Sequence, residues 1–502
     1  MSAKNCVPSA STVTMTWKRS FLPSSGISAR RAAMRTNAYA VLVDFGSTYT
    51  KVVVADLRQG DIVLTWREPS TVATDATVAL TRCFAKCRDT IGGAAFEAAR
   101  KLASSSAAGG LRMGVVGLSR SLSTTAGRNA AFGAGAKILG TFCGHLTKED
   151  VAALSSLPLE IVLFCGGYDG GGVRTLRHNA EMLASSRLHI PFVYAGNTAA
   201  AADVRSIFGA AHKEIFVSHN ITPCVGGMNS APVAAVIRDL FLHRIINMKG
   251  LEKVVPLLDR VVMPTPAAVL AAGKLLAQGT NAVPGMGPLM IVDIGGATTD
   301  IHSFIQQEAC QGARIVGAPE EFARRTVEGD LGMRESSGSL RQEMGPGVLE
   351  ADAGVSVEET NTILARWERE RASLAESPAE RRIDDALARG AVRISARRHA
   401  GRVERVLAAG VERIQRGKNI QGVTRIIGTG GVLVSHAAPG GLLAGACRTP
   451  DETDVLLPEQ AEYLVDSEYA FYAAGLLSTE YEDTALRLMH RSLRSAEHGE
   501  CC

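Results

Sequence analysis

Residues 39–56 and 289–304 share one pattern: an apolar run, a turn of small or polar residues, and a second apolar run. Each copy predicts a β-hairpin with a buried first strand. A third strand is predicted at 61–66 after the first hairpin and at 313–316 after the second. A constant offset of 249 residues relates Asp44 to Asp293, Gly46 to Gly295 and Thr50 to Thr299. A repeat of this kind indicates an internally duplicated fold.

The segment between the two hairpins alternates short apolar runs with helical stretches, which predicts an inserted parallel α/β unit over about residues 105–250. Its strands are predicted at 114–117, 160–164, 190–194 and 214–218, and its helices include 126–139 and 178–186. The glycine-rich stretch 166–172 directly follows a strand, where such sheets place ligand loops. Asp169 in this stretch is either a ligand contact or part of an ordinary strand-to-helix turn, and the turn is the favoured interpretation.

A second insertion, about residues 355–416, has helical composition. Helices are predicted over 358–375 and 379–400, with a break at Ser377-Pro378 between them. Mixed charges at a spacing of four residues favour a solvated helical hairpin over a basic binding patch. The predicted organisation is a leader over 1–38, a first half over 39–280, a second half over 281–480 and a C-terminal helix and tail over 481–502.

Composition and charge exclude several classes of protein. Hydrophobic residues make up 46% and charged residues 21% of the 502 residues, which excludes wholesale disorder. The net charge of +4 comes from residues 1–43, which hold six basic side chains and no acid; the rest carries about −2. No nucleic-acid partner is therefore indicated. No run of 18 apolar residues is present, so no membrane partner is expected. The ten cysteines show no metal-ligand spacing, which favours reduced thiols.

The leader is rich in Ser, Thr and Arg and lacks acids, a composition typical of a mitochondrial transit peptide. The alternative is an over-extended start, with Met34 as the first residue of the protein. The expected location is accordingly cytoplasmic, or the mitochondrial matrix if the leader is a transit peptide.

The turns of the two hairpins have the residue types that bind phosphate. Small residues let backbone N–H groups approach a phosphate closely, and hydroxyls add donors. A carboxylate at the end of each first strand is suited to Mg²⁺ or to orienting a water. Ordinary hairpins remain the alternative. The predicted catalytic residues are Asp44 and Asp293, the metal set adds Asp300, and the predicted phosphate contacts are Gly46, Ser47, Thr48, Thr50, Lys51, Gly295, Gly296, Ala297, Thr298 and Thr299.

Together these motifs resemble the actin, Hsp70 and sugar-kinase superfamily of ATPases. The segment Arg425–Leu433 is similar to the adenosine motif of that superfamily, and 266–273 and 469–477 are similar to its two hinge helices. The resemblance implies an α/β fold of duplicated RNase H-like halves that clamp ATP and Mg²⁺. It also implies that the adenosine-side contacts are Gly428, Thr429, Gly430 and Gly431.

Longer strings resemble the glutamate mutase accessory family (MutL or GlmL), which is unrelated to the mismatch-repair protein of the same name. They lie at 102–111, 165–171, 194–197 and 325–334, and the resemblance extends over about 39–478. It implies a chaperone-like ATPase whose partners are subunits of an adenosylcobalamin-dependent mutase. A homodimer is left open.

The first hinge departs from the wider superfamily. Residues 264–278 contain no acid, and Gln278 is the polar candidate for positioning the attacking water. Slow hydrolysis is therefore expected, which suits a conformational switch. The alternatives are a small-molecule kinase with Asp169 or Asp203 as its base, and an actin-like filament, which the large insertion disfavours.

Overall fold

The computed structural model describes residues 37–496 apart from 47, 73, 107–110, 247–252, 371–372 and 408–410. The strands of this part of the chain are β1 Tyr39–Phe45, β2 Tyr49–Asp56, β3 Ile62–Pro69, β4 Arg100–Ser105, β5 Leu111–Gly117, β6 Ala136–Cys143, β7 Ile161–Gly166, β8 Phe192–Gly196, β9 Ile215–Val217, β10 Arg260–Pro264, β11 Leu289–Ile294, β12 Thr299–Phe304, β13 Arg314–Ile315, β14 Ala323–Glu328, β15 Arg402–Leu407, β16 Val411–Arg416, β17 Arg425–Thr429, β18 Glu462–Asp466 and β19 Leu493–Ser495. The α-helices are α1 Ala76–Ile91, α2 Gly93–Ala98, α3 Thr125–Gly133, α4 Lys148–Ser156, α5 Arg174–Ala184, α6 Ala201–Ala210, α7 Ala231–Ile246, α8 Thr265–Gln278, α9 Ser337–Met344, α10 Val348–Ala353, α11 Val357–Arg369, α12 Pro378–His399, α13 Gly431–Val434, α14 Pro439–Leu443, α15 Ala470–Leu477 and α16 Glu482–Ser492.

Two of the sheets have the same topology. The first has the order β3-β2-β1-β4-β10, and the second has the order β14-β12-β11-β17-β18 with β19 added at its edge. In both, three antiparallel strands are followed by two strands parallel to the first. This shared order is that of two RNase H-like halves, so the predicted duplicated α/β fold is confirmed.

Helices α8 and α15 cross between the halves. A Cβ added at Gly475 in α15 would lie 2.0 Å from the carbonyl oxygen of Ala268 in α8, so the glycine permits this close crossing. The surrounding core joins both sheets: Leu42 of β1 and Ile291 of β11 belong to one buried cluster with these helices. The hydroxyl of Tyr472 also donates to the carbonyl oxygen of Leu42. The two predicted hinge helices therefore do form the junction of the halves.

The insertion in the first half is a five-stranded, all-parallel sheet in the order β6-β5-β7-β8-β9. Helices α3 to α6 lie between its strands in the chain, as in doubly wound folds. The predicted helix over 126–139 is too long, because α3 ends at Gly133 and Gly135 adopts a φ of 88°, which stops a helix. Residues 136–143 form β6 instead.

Two other element predictions are wrong. The third strand of the second half is β14, at 323–328, whereas 314–315 joins a separate small sheet with β15 and β16. The helical insertion ends at His399, because residues 402–416 form the hairpin of β15 and β16.

Helix α12 is a core helix rather than a solvated one, since its Ile383, Leu387 and Ala391 are fully buried in the core of the second half.

The predicted leader lies outside the described residues except for 37–38, as do the last six residues of the predicted tail. Within the described part of the chain, no helix has the length and apolar character needed to cross a membrane.

Candidate nucleotide-binding site

The two hairpin turns have the same geometry. The N–H of Gly46 donates to the carbonyl oxygen of Tyr49 at 3.0 Å, and the N–H of Gly295 donates to that of Thr298 at 2.9 Å. Each pair of residues is related by the offset of 249. The structure thus repeats, bond for bond, the turn that the sequence repeats.

The first carboxylate, Asp44, is held at the carboxyl edge of its sheet. It accepts hydrogen bonds on Oδ1 from Ser104, at the end of β4, at 3.2 Å and from Thr265, directly after β10. The ends of parallel strands meet at one edge, which is why residues so distant in sequence converge. Asp44 is 3% exposed, and burial raises its pKa, opposed by the positive charge of Lys51.

The second carboxylate, Asp293, occupies the equivalent place in the other half. Burial raises its pKa to about 6, and the nearby charge of Asp300 adds to the effect. Lys51, from the first half, lowers this pKa. A Cβ at Gly430, whose φ is 88°, would lie 2.6 Å from Oδ1 of Asp293.

Lys51 lies between the halves, as the prediction of a phosphate-neutralising cation requires. Its Nζ is 4.6 Å from the ring centroid of Tyr469, the residue that precedes α15. Tyr469 has a φ of 53°, an uncommon conformation for a tyrosine that clusters at functional sites. A Cβ at Gly431 would lie 3.4 Å from the Tyr469 hydroxyl, so this ring also lines the third predicted loop. Sequence analysis had placed Tyr469 only in a hinge.

Two predicted phosphate contacts are wrong. Thr50 and Thr299 pair across their hairpins with Phe45 and Ile294, on the sheet face opposite the two carboxylates. Both are fully buried, and the hydroxyl of Thr299 donates to the carbonyl oxygen of Leu331 at 2.7 Å. Strand alternation therefore sends these side chains into the core.

The remaining residues of the two turns stay predicted phosphate contacts, and the structure gives their exposure. Thr48, Gly296 and Ala297 are exposed at the tips of the turns, while Gly295 and Thr298 are half-buried. Ser47 lies outside the described residues. The second turn is backed by the segment that follows β14, since a Cβ at Gly332 would lie 2.3 Å from the carbonyl carbon of Ala297.

Asp300, which was predicted to bind metal, is committed elsewhere. The guanidinium of Arg325 lies 2.7 Å and 3.0 Å from its Oδ1 through two nitrogens. Arg325 is 4% exposed, so this is a buried ion pair whose charges depend on each other. We therefore remove Asp300 from the metal set. Cross-strand register places Asp300 where the first hairpin has Lys51, which explains why the two turns differ in charge.

The third motif contributes backbone rather than hydroxyl groups. Gly428 lies inside β17, and the hydroxyl of Thr429 donates to Asp466 at 3.2 Å. Asp466 in turn accepts from the N–H groups of Ala470 and Phe471 and so caps α15. Of the four predicted residues in this motif, only Gly430 and Gly431 thus reach the cleft.

The residues that meet here fit Mg²⁺ and a phosphate chain. Mg²⁺ is usually held by one or two carboxylates with waters and substrate oxygens rather than by an all-protein cage. Asp44 and Asp293 supply two carboxylates, and within the described residues no cluster of three His, Cys, Asp or Glu competes as a metal cage. Lys51 supplies the cation, and the glycine at 430 leaves space beside the second carboxylate.

The other predicted catalytic groups lie elsewhere. Gln278 is at the far end of α8 from Thr265, about 20 Å along a 14-residue helix. Asp169 accepts from the N–H of Thr198 and the amide of Asn220, so the ordinary turn is the better account of it. Asp203 forms an ion pair with Arg177 on the inserted unit.

Comparison with known proteins agrees with the motifs. The sequence model of the family described as "MutL protein" matches residues 40–493. "Protein MutL" of Clostridium tetanomorphum is 38% identical over 460 residues, which cover 90% of this chain and 98% of that protein.

Among solved structures, xylulose kinase from Bifidobacterium adolescentis is 12% identical, with a TM-score of 0.29 and coverage of 93% of this chain and 95% of that one. A carbohydrate kinase from Novosphingobium aromaticivorans has the same identity and TM-score and covers 92% of this chain and 95% of that one. The fold is shown by the strand order of the two sheets, and these TM-scores carry no weight in it. The family match and the relative together confirm the resemblance seen in the sequence: this chain belongs to the MutL family.

Proposed function

We propose that this protein is a slow, Mg²⁺-dependent ATPase that works as a chaperone-like switch on an adenosylcobalamin-dependent mutase, such as glutamate mutase. The observation that carries the ATPase part is the pair of matched turns that face each other across α8 and α15, each preceded by a carboxylate, Asp44 buried and Asp293 half-buried. Bound Mg²⁺ would supply charge neutralisation of the phosphates.

The chain's own residues have distinct tasks in this proposal. Asp293 and Asp44 would hold the metal, and Thr265 fixes the orientation of Asp44 through its hydrogen bond. Lys51 neutralises phosphate charge from the first half. The glycines at 430 and 431 let the backbone approach the nucleotide from the second half.

Slow turnover follows from the surroundings of the cleft. Helix α8 brings a threonine, Thr265, to the cleft, and this hydroxyl is already committed to Asp44. Neither of the two aspartates considered as a kinase base faces the cleft. Long-lived ATP and ADP states suit a switch, for which a nearly complete population shift requires about 5.5 kcal/mol of differential affinity.

The mutase partner is supported by family membership and by the accessory-family strings, and the experiment must test it directly. Phosphate release from Mg-ATP would be measured with the full chain alone, and then with glutamate mutase carrying inactivated cofactor. We expect slow basal release that the mutase stimulates, and no release from Asp293→Asn. Release that responds to a small metabolite and to no mutase would instead identify a kinase. Release unaffected by either would contradict the chaperone role.

A further inference from the structure

The inserted α/β unit touches the second half, although it is part of the first. The N–H of Ala318 donates to the carbonyl oxygen of Ser121, and the amide of Asn129 donates to Glu320 at 3.1 Å. The hydroxyl of Ser230 also donates to Glu321. These contacts, which we call the clasp, join residues 121–129 and 230 to the loop before β14. They join the inserted unit to the second half.

Helix α3 connects the clasp to both phosphate hairpins at its C-terminal end. The carbonyl oxygen of Phe132 accepts from the guanidinium of Arg325 at 3.0 Å, and the same guanidinium pairs with Asp300 of the second hairpin. A cation is favoured at the negative end of a helix dipole. Arg325 is therefore shared between the second turn's hairpin and the insertion.

The same helix end also touches the support of the first carboxylate. A Cβ at Gly135 would lie 2.8 Å from the Cβ of Pro264, and the next residue, Thr265, donates to Asp44. A shift of either phosphate hairpin would therefore act on the C-terminal end of α3.

The N-terminal end of this helical segment lies at the edge of the inserted sheet where doubly wound folds bind their ligands. Residues 120–124 form a π-helical turn that continues into α3, and the hydroxyl of Ser123 accepts from the N–H of Leu118 directly after β5. Helix and turn together span 14 residues, about 20 Å. π-helical turns are frequent at functional sites. In this doubly wound order, the edge between β5 and β7 is the switch point.

We propose that Arg325 is a positioning residue that couples the second phosphate hairpin to α3, so that nucleotide in the cleft sets the position of the inserted unit. This inference rests on the proposed function, because it assigns a mechanical output to the same nucleotide site. The clasp is the second point of attachment, and it holds the unit against the second half.

The test uses the full chain and amide hydrogen exchange over residues 118–133, measured with no nucleotide, with saturating Mg-ADP and with saturating Mg-ATP. In the wild type we expect exchange in this segment to differ at least tenfold between the nucleotide states. Joint replacement of both ion-pair partners, R325M with D300N, avoids leaving a buried unpaired charge. We expect this double variant to lose the dependence of exchange on nucleotide.

A second variant set tests the clasp without touching the ion pair. Asn129→Asp places two carboxylates together, and we expect it to speed exchange over 118–133 about tenfold while Mg-ATP affinity stays within threefold. Adding Glu320→Gln restores a donor–acceptor pair with reversed polarity, and we expect it to restore slow exchange. A role in folding alone would predict no such rescue.

The outcomes separate the two proposals. Wild type that fails to bind Mg-ATP would overturn the proposed function and the coupling with it. Wild type that binds Mg-ATP, with exchange over 118–133 unchanged by nucleotide, would overturn the coupling alone. Retention of the nucleotide response in the R325M and D300N double variant would remove Arg325 from that role.

Discussion

Replacement of Asp293 by Asn should stabilise the protein while abolishing its use of Mg-ATP. Burial and the neighbouring Asp300 raise the pKa of Asp293 from 3.8 to about 6. This difference corresponds to about 3 kcal/mol, since each pKa unit is about 1.4 kcal/mol. Above pH 6 the folded protein bears this cost of charging the half-buried carboxylate, whereas the unfolded chain does not. Asn has no charge to bury, so its advantage should be full above pH 6.

The gain in stability from Asp293→Asn should depend on pH. As pH falls through about 6, folded Asp293 takes up a proton and the wild type regains the lost stability. The gain from Asp293→Asn should therefore decline below pH 6 and vanish below about pH 4. Calorimetry without Mg²⁺ or nucleotide would measure it at pH 8 and pH 4. At about 1 °C per kcal/mol for a chain of this length, the midpoint at pH 8 should rise by about 3 °C.

The matched control is Asp203→Asn, which removes a surface ion pair with Arg177. Exposed pairs contribute about 1 kcal/mol or less, so this variant should change the midpoint little. A midpoint for Asp293→Asn that is unchanged at pH 8, or raised equally at pH 8 and pH 4, would refute the raised pKa of this carboxylate.

Three further predictions test the rest of the site. Thr265→Val should lower turnover at least several-fold, because Asp44 loses this hydroxyl donor. Thr50→Val should leave turnover unchanged, because the Thr50 hydroxyl is buried on the other face of the sheet. Steady-state phosphate release would be measured for both variants, and equal effects would contradict the geometry of the site. Gly475→Ala should lower the free energy of unfolding by about 1–3 kcal/mol or more, the usual cost of overpacking, because helix α8 must move aside. Gly441 has open space around it, so Gly441→Ala should be neutral or slightly stabilising. Thermal melts that rank the two variants otherwise would contradict the close crossing of α8 and α15. Affinity for Mg-ATP should fall below pH 6 as Asp293 becomes protonated, and a titration that is flat from pH 8 to pH 5 would argue against this carboxylate as the metal-side group.

The duplicated hairpins could be predicted from sequence because everything that defines them is local. Each is a short apolar strand, a turn of small residues and a return, and the constant offset made the second copy a check on the first. The hinge helices were predicted from their resemblance to those of the ATPase superfamily, and in the structure Gly475 stands where contact with Ala268 leaves no room for a Cβ.

The supports of the site could not be predicted in this way. Ser104 and Thr265 reach Asp44 only because the ends of β4 and β10 lie beside β1, which no local pattern records. A rule existed for finding them, since polar residues at the ends of parallel strands converge, but it required the strand order first.

In the second half, charged residues in the sequence led to wrong predictions for one strand and for the burial of one helix. Strand β14 has the polar sequence Ala-Arg-Arg-Thr-Val-Glu, and it is internal to the site because Arg325 is buried against Asp300. Helix α12 has many charged residues, yet its Ala and Leu positions form a buried face. In both cases burial of a charged segment depends on a partner distant in sequence.

The central claim is that the two hairpins form one Mg-nucleotide site, and the most direct test is an equilibrium titration of the full chain with ATP, with and without Mg²⁺. We expect saturable binding of one nucleotide per chain that requires Mg²⁺ and is lost both in Asp44→Asn and in Asp293→Asn. Loss in both variants would place one ligand between the two halves. Absence of binding by the wild type, or unchanged affinity in either variant, would mean that the two hairpins do not form one Mg-nucleotide site.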